Sequence, residues 1–259
     1  MDIVIYTHSD YFDILPVQLH YFYKYFPVDS SVFLFTNKNI HCIYKNILYN
    51  DTLPYASRIL ECIRKIQTNN RHILIIHEND ALIRFDKLFM NNLIEKMKEY
   101  AIDSLELKQG GSNIDLKIEV NDMIYLSYKG KWCDYKYSVQ PTIWYKPSLI
   151  NLLSKFHDKT YRTIECDDVH KYIRDNLKAY SIYDTESLQT IWYRVSKYFV
   201  FLHLTSRLLL LPCSKNNGLE PFIQKEHEYI YNNFLSNTLR EKQPNIHAYL
   251  SHMVTDFRW

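Results

Sequence analysis

Short apolar runs alternate with amphipathic segments near the start of the chain. Residues 2–6 form an apolar run that predicts a strand. From Phe12 to Pro27 the apolar side chains recur every three or four positions, which places them on one face of a helix. Residues 31–36 predict a second strand. This order of strand, helix and strand is typical of a wound α/β sheet.

The same order repeats in the next segment. Pro54 stands in the first turn of a predicted helix whose apolar face carries Ile59 and Ile63. Residues 73–76 follow as an unbroken apolar run, and such a run predicts a strand that is covered on both faces, central and parallel. A further helix is predicted over about residues 86–100. The pattern therefore predicts a mixed α/β domain.

The remainder of the chain is less regular. It predicts strands at 104–107, 119–128 and 138–145, and helices at 147–156, 167–177 and 224–237. Because there is no internal repeat and no low-complexity linker, we expect one domain over residues 1–259, with a helical C-terminal region from about residue 215.

Composition narrows the classes of function. The net charge is only +2, and the 31 basic and 29 acidic side chains are scattered, which argues against a dedicated nucleic-acid or membrane-surface protein. Five cysteines without a C-x-x-C pair indicate reduced thiols and a cytoplasmic compartment. No apolar stretch reaches the roughly 20 residues of a membrane-spanning helix. The N-terminus has the pattern of a strand, not of a signal peptide.

Several common site motifs are missing from the sequence. There is no G-x-G-x-x-G and no P-loop, which disfavours dinucleotide and P-loop enzymes. The lack of H-E-x-x-H and of G-x-S-x-G disfavours zinc and serine hydrolases.

Two carboxylates directly follow the apolar run at 73–76. Ligands of open α/β sheets bind beyond the carboxyl ends of the strands. Glu78 and Asp80, two residues apart in a turn, can approach one hard cation from the same side. Mn²⁺ or Mg²⁺ held there would offset the repulsion between these carboxylates and a nucleotide diphosphate. The alternative is that both side chains cap the turn or face solvent.

In this context the chain resembles the GT-A glycosyltransferases, in particular small uncharacterised members from bacteria and large DNA viruses. In that class a D-x-D or E-x-D motif ends a central strand and holds the metal. The resemblance covers roughly residues 1–175. It rests on residues 55–60 (YASRIL), 73–80 (ILIIHEND), 137–144 (YSVQPTIW) and 161–165 (YRTIE). It implies a GT-A-like wound mixed sheet flanked by helices.

The resemblance also implies which parts bind the donor. Residues 1–105 would form the nucleotide-binding half, and residues 106–214 the acceptor and catalytic half. The donor-binding residues would be Tyr6, Thr7, His8, Arg58 and Asn79, with Thr7 on the base or ribose and Arg58 on diphosphate or sugar oxygens. Polar residues after a first strand are common in α/β proteins and helix-surface arginines are usually solvated, so a purely structural role is the alternative.

A carboxylate near the next helix is the candidate base. In an inverting transfer a carboxylate takes the proton from the attacking hydroxyl, and Glu165 is the first candidate, with Asp168 as the second. The competing interpretation is helix capping by Asp167 or Asp168. The chain also departs from the family pattern, because Tyr161 stands where a tryptophan-containing segment is expected.

Aromatic side chains are candidates for an acceptor site. Sugars pack their apolar faces on aromatic rings, and the aromatic candidates are Trp132, Tyr137 and Trp144, with Gln140 as a further acceptor-site candidate. The alternative is that these residues belong to the core. His77 is expected to point away from Glu78, whereas His203 is a candidate third metal ligand.

Three functions remain open on the sequence. The leading hypothesis is a metal-dependent, inverting transferase that moves a sugar from a UDP-linked donor to a hydroxyl of a glycan or glycoconjugate. The second is a catalytically silent GT-A-like domain that binds glycan or nucleotide. The third is a hydrolase or nucleotidyltransferase with the same acidic pair. Convergence of Glu78, Asp80 and Glu165 on one cleft separates the first from the second.

Overall fold

The computed structural model describes residues 1–12, 15–26, 31–78, 80–107, 117–121, 124–129, 137, 139, 141–183 and 199–203. The strands are β1 (Asp2–Tyr6), β2 (Val32–Thr36), β3 (Lys45–Leu48), β4 (His72–His77), β5 (Asp80–Phe85), β6 (Ser104–Glu106), β7 (Lys117–Asn121), β8 (Ile124–Tyr128), β9 (Thr142–Tyr145), β10 (Ala179–Tyr183) and β11 (Phe199–His203). The helices are α1 (Leu15–Tyr25), α2 (Tyr55–Arg64), α3 (Lys87–Glu99), α4 (Lys146–Lys155) and α5 (Asp167–Asn176).

Nine of the described strands form one mixed sheet in the order β3-β2-β1-β4-β9-β6-β10-β8-β7. The first four strands in this order run parallel to one another. β9 runs antiparallel between β4 and β6. β5 and β11 form a separate antiparallel pair. The predicted wound α/β sheet flanked by helices is therefore confirmed.

Strand β4 is buried along its whole length, as its unbroken apolar run predicts. Leu74 faces Ile3 of β1 on one side and Ile143 of β9 on the other. The central place of β4 in the sheet is confirmed. It is parallel to β1 only, because β9, on its other side, runs in the opposite direction.

Helices cover both faces of the sheet and create two apolar cores. On one face α1 and α3 contribute residues such as Phe22 and Leu93, which belong to one cluster with Leu74. On the other face α2 and α4 contribute residues such as Ile59 and Leu152. Each fully buried side chain of this size contributes about 1.5–3 kcal/mol relative to exposure. Polar residues therefore lie outside these two cores, at the carboxyl edge of the parallel strands.

Several strands were not predicted. β3 has one buried residue among exposed ones, as an edge strand can, so it lacks an apolar run. β5 begins at Asp80, where the sequence indicated a turn, and β10 and β11 were also missed. The predicted strand at 119–128 is two strands, β7 and β8, that pair as a hairpin. Residues 215–259, including the predicted helix at 224–237, lie outside the described residues.

No helix in the described ranges has the length and apolar character that crossing a membrane requires. The three described cysteines, Cys42, Cys62 and Cys166, are free thiols.

The buried His72 at the start of β4 generates a prediction about acid stability. Burial, followed by the positive charges of Lys98, the N-terminus and Arg71, lowers its pKa to about 4. The native state therefore binds fewer protons than the unfolded state between pH 4 and 6.5. The contribution of neutral His72 to the free energy of unfolding is present above the unfolded pKa of 6.5, and it is lost as the pH falls from 6.5 to about 4.

Replacing His72 by Phe removes the titrating group and keeps a ring against Tyr145. We expect His72→Phe to lose less stability than the wild type between pH 7 and pH 5, by on the order of 1–2 kcal/mol in urea titrations. The exposed His157→Phe is the control and should retain the wild-type pH dependence. Equal losses in all three proteins would contradict the prediction.

Candidate functional site

A cleft of about 580 Å³ opens where α2 begins, beside the end of β1. Its wall combines tyrosines, threonines and two arginines. The lining residues are Tyr6, Thr52, Leu53, Pro54, Tyr55, Arg58, Thr160, Tyr161 and Arg162. Such a volume and such a mixture of apolar and polar groups are typical of a site for a small organic ligand.

The aromatic wall is a packed group of tyrosines. Tyr6 stacks on Tyr49 at 5.4 Å between ring centroids and meets the edge of Tyr55 at 5.3 Å. Tyr161 in turn stands perpendicular to Tyr55 at 5.3 Å. These rings therefore fix one another, and the cleft is bounded by a rigid surface.

A buried hydrogen bond anchors this aromatic group to the central strand. The Tyr55 hydroxyl lies 2.6 Å from Nε2 of His77, the last residue of β4. Burial lowers the pKa of His77 to about 4 and raises the pKa of Tyr55 well above its usual value. Both groups are therefore neutral at pH 7, which is the form that a buried site tolerates.

A polar network joins the loops that follow β1, β2 and β3 to Arg58 of the cleft. Nε2 of His8 lies 2.8 Å from an Asp51 carboxylate oxygen, and Asn37 donates to the same oxygen at 3.2 Å. Arg58 pairs with the other Asp51 oxygen at 2.9 Å. The hydrogen bond from His8 is the main cause that lowers the pKa of Asp51. Loops that follow three neighbouring strands are thereby joined.

Two carboxylates lie at the end of β4. Glu78 and Asp80 are 7% and 6% exposed. The Gln18 amide of α1 donates to the carbonyl oxygens of His77 and Glu78 at 2.8 and 2.9 Å. Helix α1 thus fixes the backbone from which Glu78 projects.

A third carboxylate reaches the same region from the other half of the chain. Glu165 accepts a hydrogen bond from the Val139 amide at 2.8 Å. The pKa of Tyr161 is raised by burial and then by the negative charges of Glu78, Asp80 and Glu165. All three carboxylates therefore lie near one ring, which is 43% exposed and also lines the cleft.

The residues expected to hold the donor take different positions. Tyr6 and Arg58 line the cleft. Thr7 is fully buried, and its carbonyl oxygen accepts a hydrogen bond from Tyr49 at 2.8 Å. His8 is engaged with Asp51. Of the four members of this group that the structure describes, Tyr6 and Arg58 line the cleft.

Two of the expected acceptor residues lie in the interior. Tyr137 and Trp144 are buried in the core that α2 and α4 cover, with ring centroids 5.8 Å apart. Their packing is that of the core alternative. Asn79, Trp132 and Gln140 lie outside the described residues.

The second candidate base, Asp168, is exposed in the first turn of α5. The N-cap of this helix is Cys166, and no side chain forms a capping hydrogen bond there. The alternative in which Asp167 or Asp168 caps α5 is therefore wrong. Both acids still lie where the helix dipole favours negative charge.

His203 is described through its backbone. As the last residue of β11, it is the register partner of Asp80 in β5. The expected third ligand therefore stands on the strand next to one of the two carboxylates. Among the side chains that the structure describes, no three His, Cys, Asp or Glu groups are placed to hold a metal ion.

Sequence reasoning missed Tyr161 and Arg162 as lining residues. Their loop is fastened to the start of α2, where the Ala56 amide donates to Lys159 O at 3.1 Å and the Ser57 hydroxyl donates to His157 O at 2.8 Å. Contacts between segments so far apart in sequence leave no periodic signal. The only available hint was the YRTIE stretch of the resemblance.

The hydrogen bond between Tyr55 and His77 generates a testable prediction. Tyr55→Phe keeps the ring in the cleft wall but leaves a buried imidazole nitrogen without this partner, which costs roughly 1–3 kcal/mol. We expect a lower midpoint in chemical denaturation. Tyr100→Phe, at an exposed tyrosine, is the control and should keep the wild-type midpoint. An unchanged midpoint for Tyr55→Phe would show that this bond contributes nothing.

Comparison with known proteins yields similarity in fold only. No family model and no curated protein matches the chain. A UDP-glucose pyrophosphorylase complexed with UDP-glucose is 9% identical, with a TM-score of 0.46, over 90% of this chain and 100% of that one. TarS of S. aureus is 14% identical, with a TM-score of 0.41, over 93% of this chain and 46% of that one.

A third solved structure is the 4-diphosphocytidyl-2C-methyl-D-erythritol synthase of Anaerococcus prevotii. It is 11% identical, with a TM-score of 0.43, over 76% of this chain and 95% of that one. At such identities and TM-scores these likenesses assign neither a family nor an activity to the chain.

Proposed function

We propose that this protein is a metal-dependent glycosyltransferase that moves a sugar from a nucleotide-linked donor, UDP-linked by preference, to a hydroxyl of a glycan. The observation that carries the proposal is the position of Tyr161. Its ring lines the cleft and lies near the carboxylates of Glu78, Asp80 and Glu165. A ligand in the cleft would thus lie next to both the candidate metal site and the candidate base.

The cleft wall suits the nucleotide part of a donor. A nucleobase presents a planar face that packs on aromatic rings such as Tyr6 and Tyr161. The hydroxyl groups of Thr52 and Thr160 are at the same wall and match a ribose by their chemistry. The sequence resemblance to GT-A enzymes supports the same assignment.

The carboxylates suit a hard divalent cation. Mg²⁺ is commonly bound by one or two carboxylates, with water and substrate phosphates completing its shell. Glu78 and Asp80 provide such a pair, and His203 stands beside Asp80 in the strand register. The donor set therefore fits Mg²⁺ or Mn²⁺. When bound, the ion would supply positive charge that stabilises the departing diphosphate.

Glu165 is proposed as the base. The acceptor oxygen bonds to the anomeric carbon as the bond from that carbon to the diphosphate breaks, and Glu165 takes the hydroxyl proton. One carboxylate oxygen accepts from the Val139 amide, which holds the side chain in place. Attack opposite to the leaving group inverts the anomeric centre.

The acidic pair leads to a binding prediction. Wild type should bind UDP at least about tenfold more tightly with Mn²⁺ than without it, whereas Asp80→Asn should bind equally weakly in both conditions. Calorimetric titration with UDP, GDP and dTDP measures this. Asp175→Asn, an exposed acid on α5, should behave as wild type. Failure of the wild type to bind any nucleotide under either condition would refute the proposal.

The base leads to a kinetic prediction. Glu165→Gln keeps an oxygen for the Val139 amide but cannot take a proton, so kcat should fall by about 10²–10⁴ while the Kd for UDP stays the same. Transfer or slow hydrolysis of UDP-sugars measures kcat, and NMR of the product gives its anomeric configuration.

Parallel assays separate the remaining functions. If Asp168→Asn, not Glu165→Gln, lowers kcat by that factor, the base is Asp168. Binding of UDP-sugar without any turnover would favour the silent domain. Release of pyrophosphate from a nucleoside triphosphate and a sugar phosphate would favour a nucleotidyltransferase.

A further inference from the structure

The two guanidinium groups of the cleft differ in what they already bind. Arg58 projects from α2, and Arg162 lies in the loop that precedes Glu165. A bound diphosphate needs a cation that is both near the ligand and available to it. The local contacts of each arginine decide which one meets both conditions.

Arg58 is committed to its own loop. Its Nε donates to the Leu53 carbonyl oxygen at 2.7 Å, and a terminal nitrogen donates to the Asp51 carbonyl oxygen. The other terminal nitrogen pairs with the Asp51 carboxylate at 2.9 Å. The guanidinium also lies over the Tyr49 ring, 5.4 Å from its centroid. Asp51 offsets the positive charge of Arg58, and most N–H donors of the Arg58 guanidinium already point at protein oxygens.

Arg162 has the opposite character. It is exposed and forms no ion pair with any residue in the described part of the chain. Its loop is nevertheless well held, because Thr160 and Thr163 bond to each other across the turn and Ile164 N donates to Thr160 O at 2.9 Å. The backbone that carries Arg162 is therefore fixed, while its guanidinium remains available.

The neighbouring carboxylates make this difference important. Glu78, Asp80 and Glu165 act on Tyr161, the residue directly before Arg162. A ligand phosphate beside Tyr161 meets the negative charge of these carboxylates. A metal ion binds only some of the phosphate oxygens and leaves the others without a partner. A planar guanidinium can bind two such oxygens at once.

We propose that Arg162, and not Arg58, is the arginine that binds the diphosphate of the ligand in this cleft. Arg58 instead keeps the loop at 50–54, which lines the same cleft, in its shape. The inference rests on the proposed function for the identity of the ligand, a nucleoside diphosphate group. It assigns the anionic contact to a residue that the donor-binding expectation did not include.

Calorimetric titrations with UDP, uridine and inorganic pyrophosphate, in one Mg²⁺-containing buffer, test the proposal. Arg162→Gln should weaken UDP and pyrophosphate by about 10- to 100-fold and leave uridine unchanged. Arg162→Lys retains a charge without the planar fork and should recover part of the loss. Arg174→Gln, on an exposed arginine of α5, is the control and should bind all three ligands as wild type.

The thermal midpoint of Arg162→Gln should equal that of the wild type, because the side chain pairs with no described residue. Arg58→Gln should lower the midpoint, because it loses the contacts to Asp51 and Leu53. Unchanged UDP affinity in Arg162→Gln would overturn the inference, as would an equal loss of uridine and UDP.

The same titrations separate this inference from the proposed function. Pyrophosphate binding that depends on Arg162, without any nucleotide binding, would support the anion contact and refute the nucleotide donor. Metal-dependent UDP binding that is unchanged in Arg162→Gln would support the nucleotide donor and refute the anion contact of Arg162. Binding of none of the three ligands by wild type would overturn both.

Discussion

The hydrogen bonding and packing of β4 (His72–His77) connect the two halves of the protein. The strand pairs with β1 in parallel and with β9 in an antiparallel sense, so it joins the three strands that precede it in the chain to the strands of the same sheet that follow it. Apolar side chains alternate into the two cores. Polar groups have no place along such a strand, so the ionisable residues appear where it ends. The position of Glu78 and Asp80 follows from this constraint.

The end of β4 is also where the aromatic wall is attached. His77 is the last strand residue, and its ring bonds to Tyr55 of α2. Because burial keeps His77 neutral at pH 7, it adds no positive charge beside the acidic residues. Tyr161 adds a half-exposed phenol with a raised pKa, which stays protonated and can donate a hydrogen bond. Positive charge for an anionic ligand must then come from a metal ion or an arginine.

The arginines show how similar residues take different roles through their surroundings. The N–H groups of Arg58 donate to the loop that it supports, and Asp51 balances the charge of Arg58. Arg162 is exposed at the same cleft, on a loop that hydrogen bonds to the start of α2. A well-held loop and an available cation at the same cleft are complementary requirements for a site that binds a charged ligand with little reorganisation.

Residue order alone predicts most of the local elements. Unbroken and periodic apolar patterns identified β1, β2, β4 and helices α1 to α5, because burial on one face or two leaves a direct record in residue order. It also placed Glu78 and Asp80 beyond a central strand, which follows from where a buried strand must end. Strands with mixed exposure, such as β3, left no such record.

Which distant segments meet is visible in the three-dimensional fold alone. The return of residues 157–162 onto α2 brings Tyr161 and Arg162 to the cleft, and the fold exposes Tyr161 to the charges of Glu78, Asp80 and Glu165. The structure also decided that Trp144 packs in the core and that Arg58 is engaged by Asp51. These outcomes depend on contacts between residues far apart along the chain, and the energy of such contacts comes from packing and charge in three dimensions, which residue order does not encode locally.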